Sequence, residues 1–144
     1  MPMGERWDPD MDGDASGAIT DDARAWLRML AEPEPGATEQ ARDLVQLFID
    51  DAVAHIADLQ HAASRGDLEQ VRWLAHDLGG SSATFGAHVV TAICRRLIAL
   101  ADASDADGVR RAVEPIGVAM VAAAEELAAE FLTDELEVSP PSGE

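Results

Sequence analysis

Between residues 45 and 131 the apolar positions recur at alternating spacings of three and four, and nowhere alternate singly as a half-buried strand requires. Val45, Ile49, Ala52, Ile56, Leu59 and Ala63 form one stripe, and Leu68, Val71, Ala75 and Leu78 a second. Val90, Ile93, Leu97 and Leu100 form a third; Val109, Val113, Ile116, Met120, Leu127 and Phe131 form a fourth. A stripe of this period is the buried face of an amphipathic helix. Four of them predict an all-α, antiparallel up-down four-helix bundle, with helices at about 38–64, 67–85, 87–102 and 106–132. A shorter amphipathic piece at 20–31, carrying Trp26, Leu27 and Leu30, ends at PEPG (33–36) and is expected to pack across one end of the bundle.

The residues between the stripes agree. Arg65 and Gly66 close the first long helix, and Asp67 with Gln70 three residues on forms a capping box for the next. Gly86 separates the second helix from the third, and SDADG at 104–108 the third from the fourth. Connections this short make neighbouring helices antiparallel. Pro115 lies inside the fourth stripe, where it removes a backbone donor and crowds the preceding turn. Because the stripe keeps its phase across the proline, a single kinked helix is expected.

Charge and composition then narrow the function classes. The chain has 144 residues, enough for one domain with a real core, and 28 acids against 10 arginines with no lysine, a formal charge of -18. Residues 1–22 carry seven acids and one arginine, and residues 125–144 seven acids and no base. Acidic ends bearing glycine and proline bury too little apolar surface to offset ordering entropy. Residues 1–19 and 133–144 are therefore read as flexible, disordered acidic tails around a 20–132 bundle. So negative a surface repels phosphate backbones and anionic lipid, which argues against nucleic acid or membrane as partner. No apolar run approaches the roughly 18 residues of a membrane span, and the acidic start is unlike a signal peptide, so a soluble, cytoplasmic monomer is expected. Cys94 stands alone, which excludes a disulfide framework or multi-thiolate zinc site; beside the third stripe it reads as a small half-buried residue.

One stretch sacrifices helix stability. Residues 75–87 read AHDLGGSSATFGA, and each glycine inside a helix costs about 1 kcal/mol relative to alanine. The stripe sends Ala75 and Leu78 inward and so turns His76 outward, with Gly79 and Gly80 three and four positions on. An exposed imidazole thus faces a turn with no side chains over it, where another protein's surface or a bulky substrate can approach. Histidine with an ordinary pKa near 6.5 is mostly neutral at neutral pH and is a recognised covalent nucleophile. No partner base and acid are marked for hydrolysis or acyl transfer, so the site offers acceptance and release of a group. The bland alternatives are a surface histidine without duty and a glycine pair serving close approach of two helices.

At these residues the sequence resembles the histidine-containing phosphotransfer (HPt) domains of bacterial-type two-component His-Asp phosphorelays. Their signature runs Ala-His-x-Leu-Lys-Gly-Ser-Ser, then a small, a variable and an apolar residue, then Gly-Ala; AHDLGGSSATFGA follows it closely, and the bundle order extends the likeness over about residues 38–132. The resemblance implies that His76 accepts a phosphoryl group from the aspartate of one response-regulator receiver domain and passes it to another. It makes Gly80 the glycine that lets the receiver dock, and gives Ser81 and Ser82 the task of packing the helix and orienting its face. The partners implied are receiver domains and a hybrid sensor histidine kinase; no cofactor of the chain's own is expected, the Mg²⁺ belonging to the receiver. The departure is Gly79, where the family usually has a lysine that favours the phosphoryl group electrostatically. Arg72, one turn before His76 on the same face, is the nearest replacement, because a guanidinium binds phosphate oxygens bidentately. Asp77 works the other way.

Trp73, on the side of the helix away from the stripe, is either covered by the N-terminal segment or exposed beside the acceptor, where with Ala83 and the glycines it makes a docking patch. His55, His61 and His88 read as solvated or half-buried. A bundle-core dimetal site wants Glu-x-x-His on two helices, and Asp58-Leu59-Gln60-His61 is the nearest approach, so no metal is expected. The chain shows no Walker-type loop, so any phosphoryl group is expected to come from a partner, and the resemblance implies a phosphocarrier without kinase activity of its own. The alternative is a non-phosphorylated adaptor bundle that binds a receiver or kinase domain and regulates signalling.

Overall fold

The spacing of apolar residues becomes helix because each stripe finds a neighbour against which to bury. The computed structural model describes residues 17–31 and 37–132. The helices are α1 (Asp21–Ala31), α2 (Ala37–Arg65), α3 (Leu68–Thr84), α4 (His88–Asp102), α5 (Ala106–Val113) and α6 (Ile116–Phe131), with no strand among the described residues. Every stripe residue is buried in one core except Ile49, Leu68 and Leu100, which are partly buried and pack against it. α3 lies between α2 and α4, and the α5–α6 pair closes the ring between the same two helices, diagonal to α3. One side of α3 therefore stays free of the bundle.

Short turns set this order. Gly66, at φ 73°, ends α2, and Asp67 caps α3 by accepting the Gln70 N–H at 3.3 Å. The turn from α3 to α4 needs glycine on two counts at Gly86: its φ is 76°, and a Cβ there would stand 2.4 Å from the Cβ of Ala23.

The fourth stripe differs from the single kinked helix expected. Glu114 and Pro115 form a turn that divides it into α5 and α6. Pro115 has no N–H to donate, and the Glu114 N–H reaches only Arg111 O, three residues back, at 3.4 Å. The phase survives the break, since Val113 and Ile116 on either side of it are both buried.

α1 covers the end of the bundle at the α3–α4 turn. Leu27 is fully buried, Thr20 N–H donates to Gly86 O at 3.0 Å, and Arg24 pairs with Glu126 at 3.3 Å and Glu130 at 2.8 Å on α6. Trp26 sets its edge on Phe85, and Phe85 stacks on Phe48 with ring centroids 4.6 Å apart. The core also begins before residue 20: Ile19 is 1% exposed, and its N–H donates to Glu126 Oε1 at 2.9 Å. Burying a side chain of that size stabilises by about 1.5–3 kcal/mol, which holds this segment against the bundle. The acidic stretches at 1–16 and 133–144, Trp7 and the PEPG segment lie outside the described residues. Among those described, no helix is long and apolar enough to cross a membrane.

Candidate functional site

Val71, Ala75, Leu78 and Ser82 are the buried residues of α3, and their spacing fixes what faces outward. Arg72, Trp73, His76, Asp77 and Gly80 are all exposed. Trp73, at 60% exposure, stands beside the histidine rather than beneath the N-terminal segment. Ala83 is exposed one turn beyond, and Ser81 is half-buried.

The two glycines divide their work. A Cβ built at Gly80 meets nothing within 4 Å, so this turn of helix is open to an approaching surface. A Cβ at Gly79 would lie 3.3 Å from the Cβ of Cys94, so Gly79 is half-buried and lets α3 and α4 approach closely. Close helix packing thus accounts for one glycine and cleared access for the other. Ser82 ties the same two helices: its hydroxyl lies 2.8 Å from that of Thr91 and 3.2 Å from Gly79 O, and the Thr91 hydroxyl donates to Ala87 O at 3.1 Å. Ser81 donates to Leu78 O at 3.2 Å, a bond within its own helix.

Two open grooves adjoin His76. One, of about 260 Å³, is lined by Arg72, Trp73, His76 and Ile98. The other, of about 290 Å³, runs between α3 and α4 and is lined by Ala75, His76, Gly79, Gly80, Ala83, Thr91, Cys94, Arg95 and Ile98. His76 and Ile98 belong to both, so the imidazole sits on the ridge between them. The α4 wall lies outside the histidine motif and is not among the residues that the motif names. Thr91, Cys94, Arg95 and Ile98 follow one another at helical spacing, and that periodicity is the signal that could have found them.

The charges around the ring are arginines on one side and Asp77 on the other. Arg72 Nε donates to Asp102 Oδ1 at 2.8 Å, so this guanidinium is already engaged by the end of α4. Asp77 lies 3.9 Å from His55 Nε2, and His55 Nδ1 is 2.9 Å from Asp51 O. Cys94 is fully buried rather than half-buried, and burial pushes its thiol up to about 12, which leaves it without thiolate character at neutral pH. His61 is exposed, and His88 Nε2 is 2.7 Å from Gly17 O at the N-terminal segment. Among the described residues no cluster of three or more His, Cys, Asp or Glu side chains could hold a metal ion. The arrangement offers a reachable nucleophilic ring, apolar rims from Trp73 and Ile98, and nearby guanidinium groups.

The family model for the Hpt domain matches residues 43–137, most of the chain. Among solved structures, the histidine-containing phosphotransfer protein ZmHP2 from maize is similar over 90% of this chain and 93% of its own, at 26% identity and a TM-score of 0.72. No curated protein matches in sequence.

Proposed function

We propose that this chain, which belongs to the Hpt domain family and is a histidine phosphotransfer relay intermediate, carries its phosphoryl group on His76. The observation that carries this assignment is the exposure of His76 on the outward face of α3, followed by a glycine turn where a Cβ built at Gly80 would meet nothing within 4 Å. A receiver domain can therefore bring its phosphorylated aspartate up to the ring. A ring nitrogen forms the N–P bond as the P–O bond to the aspartyl carboxylate breaks, and the aspartate leaves with that electron pair as a free carboxylate. The reverse step hands the group to a second receiver. Catalysis of this kind is mostly positioning and charge stabilisation. The receiver supplies the aspartate and its Mg²⁺, and this chain supplies the placed imidazole.

The chain draws its phosphoryl group from partners, receiver domains and a hybrid sensor histidine kinase, and has no kinase activity of its own. α3 and α4 of one chain build both grooves, which supports action as a single copy, and the placement in the cytoplasm rests on the sequence composition alone. Trp73, Ile98 and Ala83 give the docking face its apolar part; Gly80 gives it clearance; Ser81 and Ser82 hold α3 in place.

The test is transfer from a panel of phosphorylated receiver domains, with His76→Gln alongside. An acid-labile, base-stable label on the wild type and none on the variant is the expected result. Equal labelling of both would move the acceptor elsewhere. A receiver that binds both equally and labels neither would favour an adaptor.

A further inference from the structure

The groove between α3 and α4 has a cation on its wall that the histidine motif does not contain. Arg95 lines it together with His76, Gly79 and Gly80. The other arginine near the ring, Arg72, is held by Asp102 at 2.8 Å, and neither of the grooves at His76 includes Arg96, which lines a separate cleft with Asp105 and Arg111. Arg95 is exposed and has no ion pair among the described residues. Among the described residues Arg24, Arg28, Arg65 and Arg110 each pair with a carboxylate, whereas Arg95, in the groove that His76 lines, does not, so its donors are available. Gly79 contributes the space: any side chain there would start 3.3 Å from the Cβ of Cys94, the residue before Arg95.

We infer that Arg95 is the phosphoryl-binding residue of this site, closing from α4 onto the group that His76 carries. The inference rests on His76 being the acceptor. With the N–P bond made, two guanidinium N–H groups of Arg95 donate to the non-bridging oxygens, and no proton is transferred. The site then takes a tetrahedral dianion between helices, with its positive charge supplied from α4 rather than from the turn after the histidine. Charge stabilisation of this kind acts where negative charge gathers during transfer.

Phosphoramidate, a small phosphoryl donor that needs no protein partner, separates the two questions. Wild type, His76→Gln, Arg95→Ala, Arg95→Lys and Arg96→Ala are treated with it, their folding being compared by circular dichroism. Arg96→Ala removes the same charge one residue away, outside both grooves, and so controls for the overall field. The expected result has three parts: phosphorylation moves the Arg95 Nε resonance in the wild type; Arg95→Ala slows onward transfer to a receiver by about tenfold or more while Arg96→Ala does not; and Arg95→Lys recovers part of the loss. A tenfold change corresponds to about 1.4 kcal/mol. An unmoved Arg95 resonance on the phosphorylated protein, or equal rates for Arg95→Ala and Arg96→Ala, overturns the role of Arg95 and leaves His76 standing. Labelling of His76→Gln equal to wild type removes the acceptor, and the inference with it.

Discussion

Replacing Gly80 with alanine separates the stability of α3 from its use. Glycine in a helix is less favourable than alanine by about 1 kcal/mol, chiefly because the unfolded chain gives up more freedom. α3 ends four residues later at Thr84, where the last turn is looser, so the gain here is about 0.5–1 kcal/mol. Nothing adds to or subtracts from it, because a Cβ at residue 80 meets no atom within 4 Å. For a chain of this size that raises the unfolding midpoint by about 2–3 °C. Gly79→Ala has the same helix preference behind it but must push against the Cβ of Cys94 from 3.3 Å, so it gains less. Thermal and urea unfolding measure both. Receiver-dependent phosphotransfer should move the other way: Gly80→Ala slows it, and Gly80→Gln, which lays a long side chain over the turn beside His76, slows it further. A less stable Gly80→Ala protein would refute the open-turn geometry. A folded Gly80→Gln protein that transfers at the wild-type rate would refute the idea that receivers approach over this turn.

Three further predictions follow from the same geometry. Ser82→Ala removes a buried hydroxyl from Thr91 and from Gly79 O and should cost about 1–2 kcal/mol in urea unfolding, whereas Ser81→Ala, which loses a bond within one helix, costs less; equal losses would deny the α3–α4 tie. Arg72→Ala breaks a half-exposed pair with Asp102 and should change stability by less than about 1 kcal/mol, slowing transfer more than it changes folding but less than Arg95→Ala does; a transfer rate equal to wild type would end its role. Burial raises the Cys94 thiol from 9.0 to about 12, so the unfolded chain releases this proton first: stability is full below pH 9.0 and falls as pH rises toward 12. The slope is at most about 1.4 kcal/mol per pH unit, and with no lysine or tyrosine in the chain Cys94 alone provides it, so Cys94→Ala should flatten the curve between pH 9.0 and 10.5; an unchanged slope would place the titration elsewhere.

The bundle was legible because its information is local. A period of three and four names the buried face of each helix, and short glycine-bearing turns name the order, so Val71, Ala75 and Leu78 could be placed inward and His76 outward without a structure. What the period does not carry is the state of the backbone at one residue. The stripe runs in phase through Pro115, yet whether a proline bends a helix or ends it depends on whether the preceding N–H groups find carbonyls, and Glu114 finds one only three residues back. Composition misled at the N-terminus for a similar reason. The acidic run up to Asp22 signals a solvated tail, but Ile19 within it has a vacant place at the bundle end, and one buried isoleucine fixes the residues around it.

The site was legible on α3 and dark on α4. Every residue named from the motif, from Arg72 through Ala83, lies on one helix, whose own geometry fixes their relative directions. Arg95 is nineteen residues beyond His76 in the chain, and its place in the groove that His76 also lines depends on how α4 is rotated against α3. That rotation is set by contacts between helices: the Cβ of Cys94 against Gly79, and Ser82 against Thr91. Gly79 shows the limit most clearly. In the sequence it reads as a lost cation, because only the position is visible; in the structure it is the contact that brings α4 close enough for another cation to line the same groove. Whether a substitution removes a function or relocates it is decided by the neighbouring helix, and for this chain the neighbour brings an arginine.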